Sequence, residues 1–269
     1  MPSHLPKQLE AAIQAYTTAV PRRARLMDLA GAVLAAQSTA LVPAPPAGDL
    51  EAATSLLAAG QPLLTALAVP AVAFRALLAQ LLTVFQRFEL LRPLPLATLE
   101  EILDQSPSVW LEEGGPISSL AAARRLPANL LFFFGQKALA PFYQQAAQPY
   151  DALWSQGLWQ QPICPACGRP PTLALLTPES GRRRLHCRLC DLTWPAPSRQ
   201  ACVFCGTEAS QGRYYFLEDD PARRADLCQA CGRYLRTIVL AKLPHPLHLP
   251  LEEFVLVDLD TLMAQRSQG

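Results

Sequence analysis

The eight cysteines of this 269-residue chain are the side chains whose types and spacing most clearly imply chemistry. They form four C-x-x-C pairs, Cys164/Cys167, Cys187/Cys190, Cys202/Cys205 and Cys228/Cys231, and the first 163 residues contain none. A C-x-x-C turn places two sulfurs on one side of a tight loop. Two such turns, or knuckles, supply the four corners of a tetrahedral metal site. Disulfides do not persist in a reducing compartment, so metal ligation is the leading reading. Nineteen residues separate the first two pairs and 22 separate the last two, and each interval fits a short hairpin. Pairing neighbours gives one site from Cys164, Cys167, Cys187 and Cys190, and a second from Cys202, Cys205, Cys228 and Cys231. Spacing alone leaves an interleaved pairing open. Zinc and iron both accept four thiolates. Zinc there is structural, because it has no redox chemistry and four protein ligands leave no open position. Iron could change oxidation state.

The flanking residues support knuckles. Gly168, Gly206 and Gly232 follow three of the pairs, where a missing Cβ permits positive φ and lets the amide approach a sulfur. Asp191 takes that place after Cys190, and Asp tolerates the left-handed region moderately well. Trp194 is expected to pack over the first site. His186 adjoins Cys187, but on a strand its side chain points away from the neighbouring sulfur, so packing or hydrogen bonding is expected rather than ligation. His245 and His248 fall in the Pro-rich linker Pro244–Pro250 and read as exposed loop residues, and His4 reads as part of the terminus.

Arg182, Arg183, Arg184 and Arg188 form a local basic cluster. Residues 161–243 hold 12 basic and 7 acidic side chains. Two zinc tetrathiolates, at −2 each, reduce that surplus to about +1, and two ferric sites to about +3. Either balance argues against nucleic acid as the partner. A zinc-ribbon nucleic-acid binder and a thiol redox protein are the alternatives to a metal-supported binding protein. No nucleophile–base constellation accompanies the cysteines, so the chain reads as a non-enzyme.

The elements that position these residues divide the chain. Residues 1–160 read as a helical N-terminal domain, with the boundary near Trp159–Pro162. Leu9, Ile13, Tyr16 and Val20 recur at helical spacing, and Pro21 opens a second helix running towards Leu41. Val42–Asp49 is a Pro-rich loop, with Asp49 capping a helix to Ala59. Pro70–Glu89 is apolar on most sides and reads as the central helix. Short helices are expected over Leu96–Leu103 and Pro107–Glu112. A longer one, capped by Ser118 or Ser119, is expected to reach Gln148, with Pro127 and Pro141 breaking or bending it. Phe132, Phe133, Phe134, Phe142 and Tyr143 read as core, with an interaction face as the alternative.

Residues 161–198 and 199–243 then repeat a knuckle, hairpin, knuckle pattern. Thr172–Thr177 and Arg182–His186 are the strands of one hairpin, and Arg213–Leu217 and Arg223–Leu227 those of the other. Residues 244–269 form a linker and a C-terminal helix over Pro250–Arg266. Hydrophobic residues make up 51% of the chain, which excludes wholesale disorder, and the formal charge is +1. The most apolar stretch, Leu63–Phe85, is interrupted by Pro70, Arg75 and Gln80, so no membrane insertion is expected. The first residues lack the pattern of a signal peptide, and a cytoplasmic location is expected.

Cys164-Pro-Ala-Cys-Gly168, Leu185-His-Cys-Arg-Leu-Cys190 with Trp194, Cys202-Val-Phe-Cys205 and Leu227-Cys-Gln-Ala-Cys-Gly-Arg-Tyr-Leu235 together resemble the FdhE family of formate dehydrogenase accessory proteins. Leu251–Asp260 is similar to that family's closing segment, and Arg22-Arg-Ala-Arg-Leu26 resembles an early one. The resemblance implies a multidomain α plus small β protein, with a helical N-terminal domain, two tandem rubredoxin-like modules and a C-terminal helix. It implies two metal ions in the four-cysteine sites, with iron preferred and zinc compatible. It also implies a chaperone-like cytoplasmic protein that binds the catalytic subunit of a respiratory formate dehydrogenase before export. Self-association is left open, and only the eight cysteines carry over as site residues.

Overall fold

The computed structural model describes residues 6–45, 48–91, 94–112, 114–154, 156–208 and 213–266. His4, and residues 46 and 47 of the Pro-rich loop, lie outside that set.

The helical part begins with α1 (Lys7–Ala19), which buries Leu9 and Tyr16. Pro21 opens a 3-10 turn over Pro21–Arg23, where its missing N–H costs nothing, and α2 (Ala24–Ser38) follows. Asp49 caps α3 (Leu50–Ala58) by accepting the Ala52 amide at 3.0 Å. The central helix, α4 (Ala71–Arg87), buries Phe74, Leu77, Leu78, Leu81, Leu82 and Phe85. Next come α5 (Leu96–Leu103) and a 3-10 turn over Pro107–Leu111.

The long helix expected before Gln148 is two helices. The first, α6 (Pro116–Arg124), starts at Gly115-Pro116, so Ser118 and Ser119 lie inside it rather than capping it. It stops where Arg125 turns left-handed at φ 54°. Pro127 is the N-cap of α7 (Ala128–Ala147). Pro141 lies inside α7 and does not end it, so of the break or bend expected there the break is absent. A proline at 141 leaves the carbonyl of Lys137 without its helical donor, and the Gln37 side chain supplies one at 2.7 Å. Gly135 lets α7 meet Trp110, since a Cβ there would come within 2.2 Å of the indole.

The C-terminal half builds one six-stranded sheet from β1 (Leu173–Leu176), β2 (Arg183–Cys187), β3 (Leu192–Pro195), β4 (Arg213–Leu217), β5 (Asp220–Leu227) and β6 (Tyr234–Val239). The order is β3-β2-β1-β6-β5-β4. Each repeat is a three-stranded antiparallel meander, because a further strand follows its second knuckle. The repeats join by parallel pairing of β1 with β6, from Leu173↔Arg236 to Leu176↔Val239. One sheet face presents Leu173, Leu175 and Ile238 to Leu256 and Leu259. The other carries Ala174, Leu185, Trp194 and Leu235 into the core that also holds α4 and α7. The tail forms α8 (Leu249–Val255) and α9 (Val257–Arg266), a helical segment with a break at Leu256. None of the described helices is long and apolar enough to cross a membrane.

Candidate metal centres

The hairpins bring neighbouring knuckles together. Cys164, Cys167, Cys187 and Cys190 form one group and Cys202, Cys205, Cys228 and Cys231 the other, with the sulfurs of each within 4.8 Å of one another. Cys167 and Cys187 Sγ are 3.6 Å apart, Cys202 and Cys231 3.9 Å, and Cys205 and Cys228 3.7 Å. Metal–sulfur bonds of ~2.3 Å in a tetrahedron require sulfur separations of about 3.8 Å. The donor sets therefore fit a tetrahedral cation, and the separations far exceed the ~2.05 Å of a disulfide bond.

Three of the knuckles are closed by their own backbone. Gly168 N–H donates to the Cys164 carbonyl, and Gly206 and Gly232 do the same to Cys202 and Cys228, each at 2.9 Å. These glycines sit at φ 70–75°, and Asp191 takes φ 53° in the second knuckle. The glycine amide thus spans the turn to a carbonyl, and the amides directed at sulfurs come from other residues, such as Phe204, 3.4 Å from Cys202 Sγ.

The first group is embedded in the main core, with Cys164 and Cys187 at 0% and 1% exposure and Trp194 at 0%. The amides of Leu63 and Leu64 donate to the carbonyls of Pro165 and Ala166 at 3.1 and 2.7 Å. Arg169 donates to the Leu111 carbonyl at 2.8 Å, so the helical part holds this knuckle directly. In the second group Cys205 is exposed and the other three cysteines are half-buried.

Sulfurs this close compete for protons. Hydrogen bonds from Cys164, Cys167 and Cys190 hold the Cys187 thiol low. Burial pushes Cys164 up, and its cysteine neighbours push Cys190 up. In the second group burial raises Cys202 to about 12, while the Thr207 hydroxyl and amide lower Cys205 to about 6. A cation bound by all four thiolates takes the place of these protons.

His186 is buried on β2 with Nε2 2.9 Å from an Asp191 oxygen, so it braces the second knuckle. His245 and His248 are not the exposed loop residues expected from the prolines around them. His245 lies against the Tyr16 ring with centroids 3.8 Å apart, and the His248 amide donates to the Tyr16 hydroxyl at 3.0 Å. Arg183 and Arg184 donate to the carbonyls of Ala201 and Thr193, and Arg188 pairs with Glu253 at 3.7 Å. Three members of the basic cluster are thereby engaged within the fold. Phe134, Phe142 and Tyr143 are buried, whereas Phe132 and Phe133 line an apolar groove of about 770 Å³ beside Leu26, Leu29 and Val257.

Sequence reasoning missed a buried charge network joining the two ends of the chain. Arg223 grips Glu252 through Nε at 2.6 Å and Nη2 at 2.7 Å, and reaches Asp220 at 3.0 Å. Tyr16 donates to Glu252 at 2.6 Å, and Arg23 bridges Asp220 and Asp258, both at 2.9 Å. A second cluster sets Arg236 against Glu253 at 3.2 Å and the Thr172 carbonyl at 2.9 Å. The adjacent like charges Arg22/Arg23 and Glu252/Glu253, each followed by an apolar residue, were the available signal.

A helical domain continuous with tandem, zinc-ribbon-like four-cysteine modules on one sheet is the class of protein that this fold and these centres define. The same fold occurs in the FdhE protein from Pseudomonas aeruginosa, whose crystal structure aligns with TM-score 0.63 over 98% of this chain and 94% of that one, at 22% identity. In sequence, a Protein FdhE homolog of Shewanella oneidensis is 32% identical over 106 residues, which is 39% of this chain and 33% of that protein. Protein FdhE of Escherichia coli is 27% identical over 151 residues, 55% of this chain and 45% of the relative. The matched stretch thus spans a third to less than half of these relatives' lengths. No family model matches the chain. The chain is thus similar in sequence to these FdhE proteins over part of its length, and it shares the fold of one FdhE protein over nearly all of it.

Proposed function

We propose that the chain is a formate dehydrogenase accessory protein. In this reading it binds two metal ions through its eight cysteines and engages the immature catalytic subunit in the cytoplasm, before export, without itself catalysing turnover. The observation that carries the proposal is the pair of closed four-sulfur centres in a fold shared with an FdhE protein. Four protein ligands per ion leave no position for a substrate, so the ions act by fixing the knuckles. Iron is the metal that the FdhE resemblance implies, and it would add one-electron chemistry; zinc fits the same donors.

The test is capture of the dehydrogenase catalytic subunit by the full chain and by a Cys205→Ser/Cys228→Ser variant. The reading predicts capture by the parent chain and clear loss when the second ion is lost. Undiminished capture after metal loss contradicts a metal-supported surface. No capture by the metal-loaded parent contradicts the partner.

A further inference from the structure

A cleft of about 400 Å³ opens between the repeats, beside the second cysteine group, and neither the metal centres nor the proposed accessory role uses it. Five arginines line it, Arg183, Arg199, Arg213, Arg224 and Arg233, against a single carboxylate, Asp226. That carboxylate is already engaged by Arg224 at 2.8 Å and by the Thr237 hydroxyl at 2.8 Å. Even after Asp226 and the two net negative charges of a zinc tetrathiolate at Cys202 and Cys228 are set against them, the arginines leave a surplus of about two positive charges. Arg183 Nε is buried and has no hydrogen-bond partner among the described residues. Such a donor is costly to bury and marks a position where an acceptor oxygen would be stabilised.

Aromatic rings adjoin the charge. Tyr214 lines the cleft from the edge strand β4 and is 55% exposed. The Arg224 guanidinium lies 4.8 Å from its ring centroid, and the half-exposed Phe216 lies alongside at 6.1 Å. Arg233 stacks 3.8 Å over Phe204, also in the wall. Guanidinium forks match phosphate oxygens, and an exposed aromatic face accepts a planar base. A cleft of this size is also within the range of small-molecule sites. A carboxylate peptide would use the arginines but gives no role to the exposed rings.

We propose that this cleft binds a nucleotide unit, with its phosphate held by Arg183, Arg213 and Arg224 and its base against Tyr214. The unit comes either from a free nucleotide or from a single-stranded nucleic acid. Calorimetry on the metal-loaded full chain tests this with guanosine monophosphate, inorganic phosphate, a single-stranded oligonucleotide and an acidic peptide as probes. Binding of the mononucleotide identifies a free-nucleotide site, whereas binding of the oligonucleotide alone identifies the nucleic-acid source. Arg213→Ser, at an exposed position, should weaken either at least tenfold. Tyr214→Ser should weaken nucleotide or oligonucleotide binding several-fold and leave phosphate binding unchanged. Arg224→Gln adds a second charge test, with metal content and melting confirming that each variant is folded. Binding of phosphate as tight as nucleotide and indifferent to Tyr214, binding of the acidic peptide only, or no binding at all would each overturn the proposal.

Discussion

Cys164, Cys167, Cys187 and Cys190 lie in the apolar core that they share with α4 and α7, whereas Cys205 is exposed and its three companions are half-buried. Both groups have four sulfurs, two knuckles and a hairpin between them. Their surroundings differ. The first knuckle is hydrogen-bonded to residues 63, 64 and 111 of the helical part, and Trp194 closes the same core. The second group meets shorter-range support, such as Thr207 beside Cys205. A repeated ligand pattern therefore need not give repeated energetics. A bound ion's contribution to folding depends on how much structure requires the site.

The largest effect should come from removing ligands. Cys164→Ser/Cys187→Ser takes away an ion whose binding is worth on the order of 10 kcal/mol and leaves polar groups in the core. Typical domain stability is about 5–15 kcal/mol, so this variant should show no cooperative thermal transition. Cys205→Ser/Cys228→Ser should retain the helical melt within about 5 °C of the parent. Equal losses from the two variants, read by circular dichroism, would break the contrast.

The Arg236–Glu253 cluster sharpens it, because Arg188, inside the second knuckle of the first group, also pairs with Glu253. Burial opposes the charge on Glu253, but Arg236, Arg188 and Lys137 outweigh it and hold the carboxyl well below its ordinary value. Glu253→Gln removes the nearer and more buried carboxylate partner of Arg236, leaving it Asp260 at 3.5 Å, and should cost about 3 kcal/mol. The same change at exposed Glu89, paired with Arg25, should cost at most about 1 kcal/mol. A carboxyl with a depressed folded pKa contributes fully above its unfolded value of about 4.3 and loses that contribution as the pH falls towards the folded one. The parent should therefore lose stability below about pH 4 more steeply than Glu253→Gln, as urea titrations across that range would show.

A smaller change of opposite sign is expected at Lys137, buried beside the Phe133 and Phe254 rings. Burial lowers its pKa to about 8. The unfolded chain binds this proton below about pH 10.4 and the folded chain only below about 8, so the cost is complete at neutral pH and disappears as the pH rises through that window. Lys137→Met should stabilise the chain at pH 7 by roughly 2–3 kcal/mol, less what the ring contacts return. The advantage should vanish near pH 10.5. Paired melts at the two pH values check this.

What could be read in advance follows interaction range. Knuckles and hairpins are local, so spacing and glycine positions located the sulfurs, and Asp49 and Pro21 marked helix starts through their own backbone chemistry. The parallel β1–β6 pairing joins strands about 60 residues apart, and β3 and β6 become legible only once that sheet is assembled. Pro141 left a break or a bend open because Gln37, far away in sequence, could not be seen to replace the missing donor. The histidines of Pro244–Pro250 looked like loop residues because nothing local showed Tyr16 packing on them. The contrast between the cysteine groups was equally hidden, since C-x-x-C spacing fixes a ligand set and says nothing of what covers it.

The most direct test combines elemental analysis with timed release to a chelator, using protein purified without added metal. Two ions per chain are predicted, one lost rapidly and one only on global unfolding, with Cys205→Ser/Cys228→Ser abolishing the rapid phase alone. Fewer than two ions, disulfide-bridged cysteines, or two ions leaving at a single rate would contradict the account.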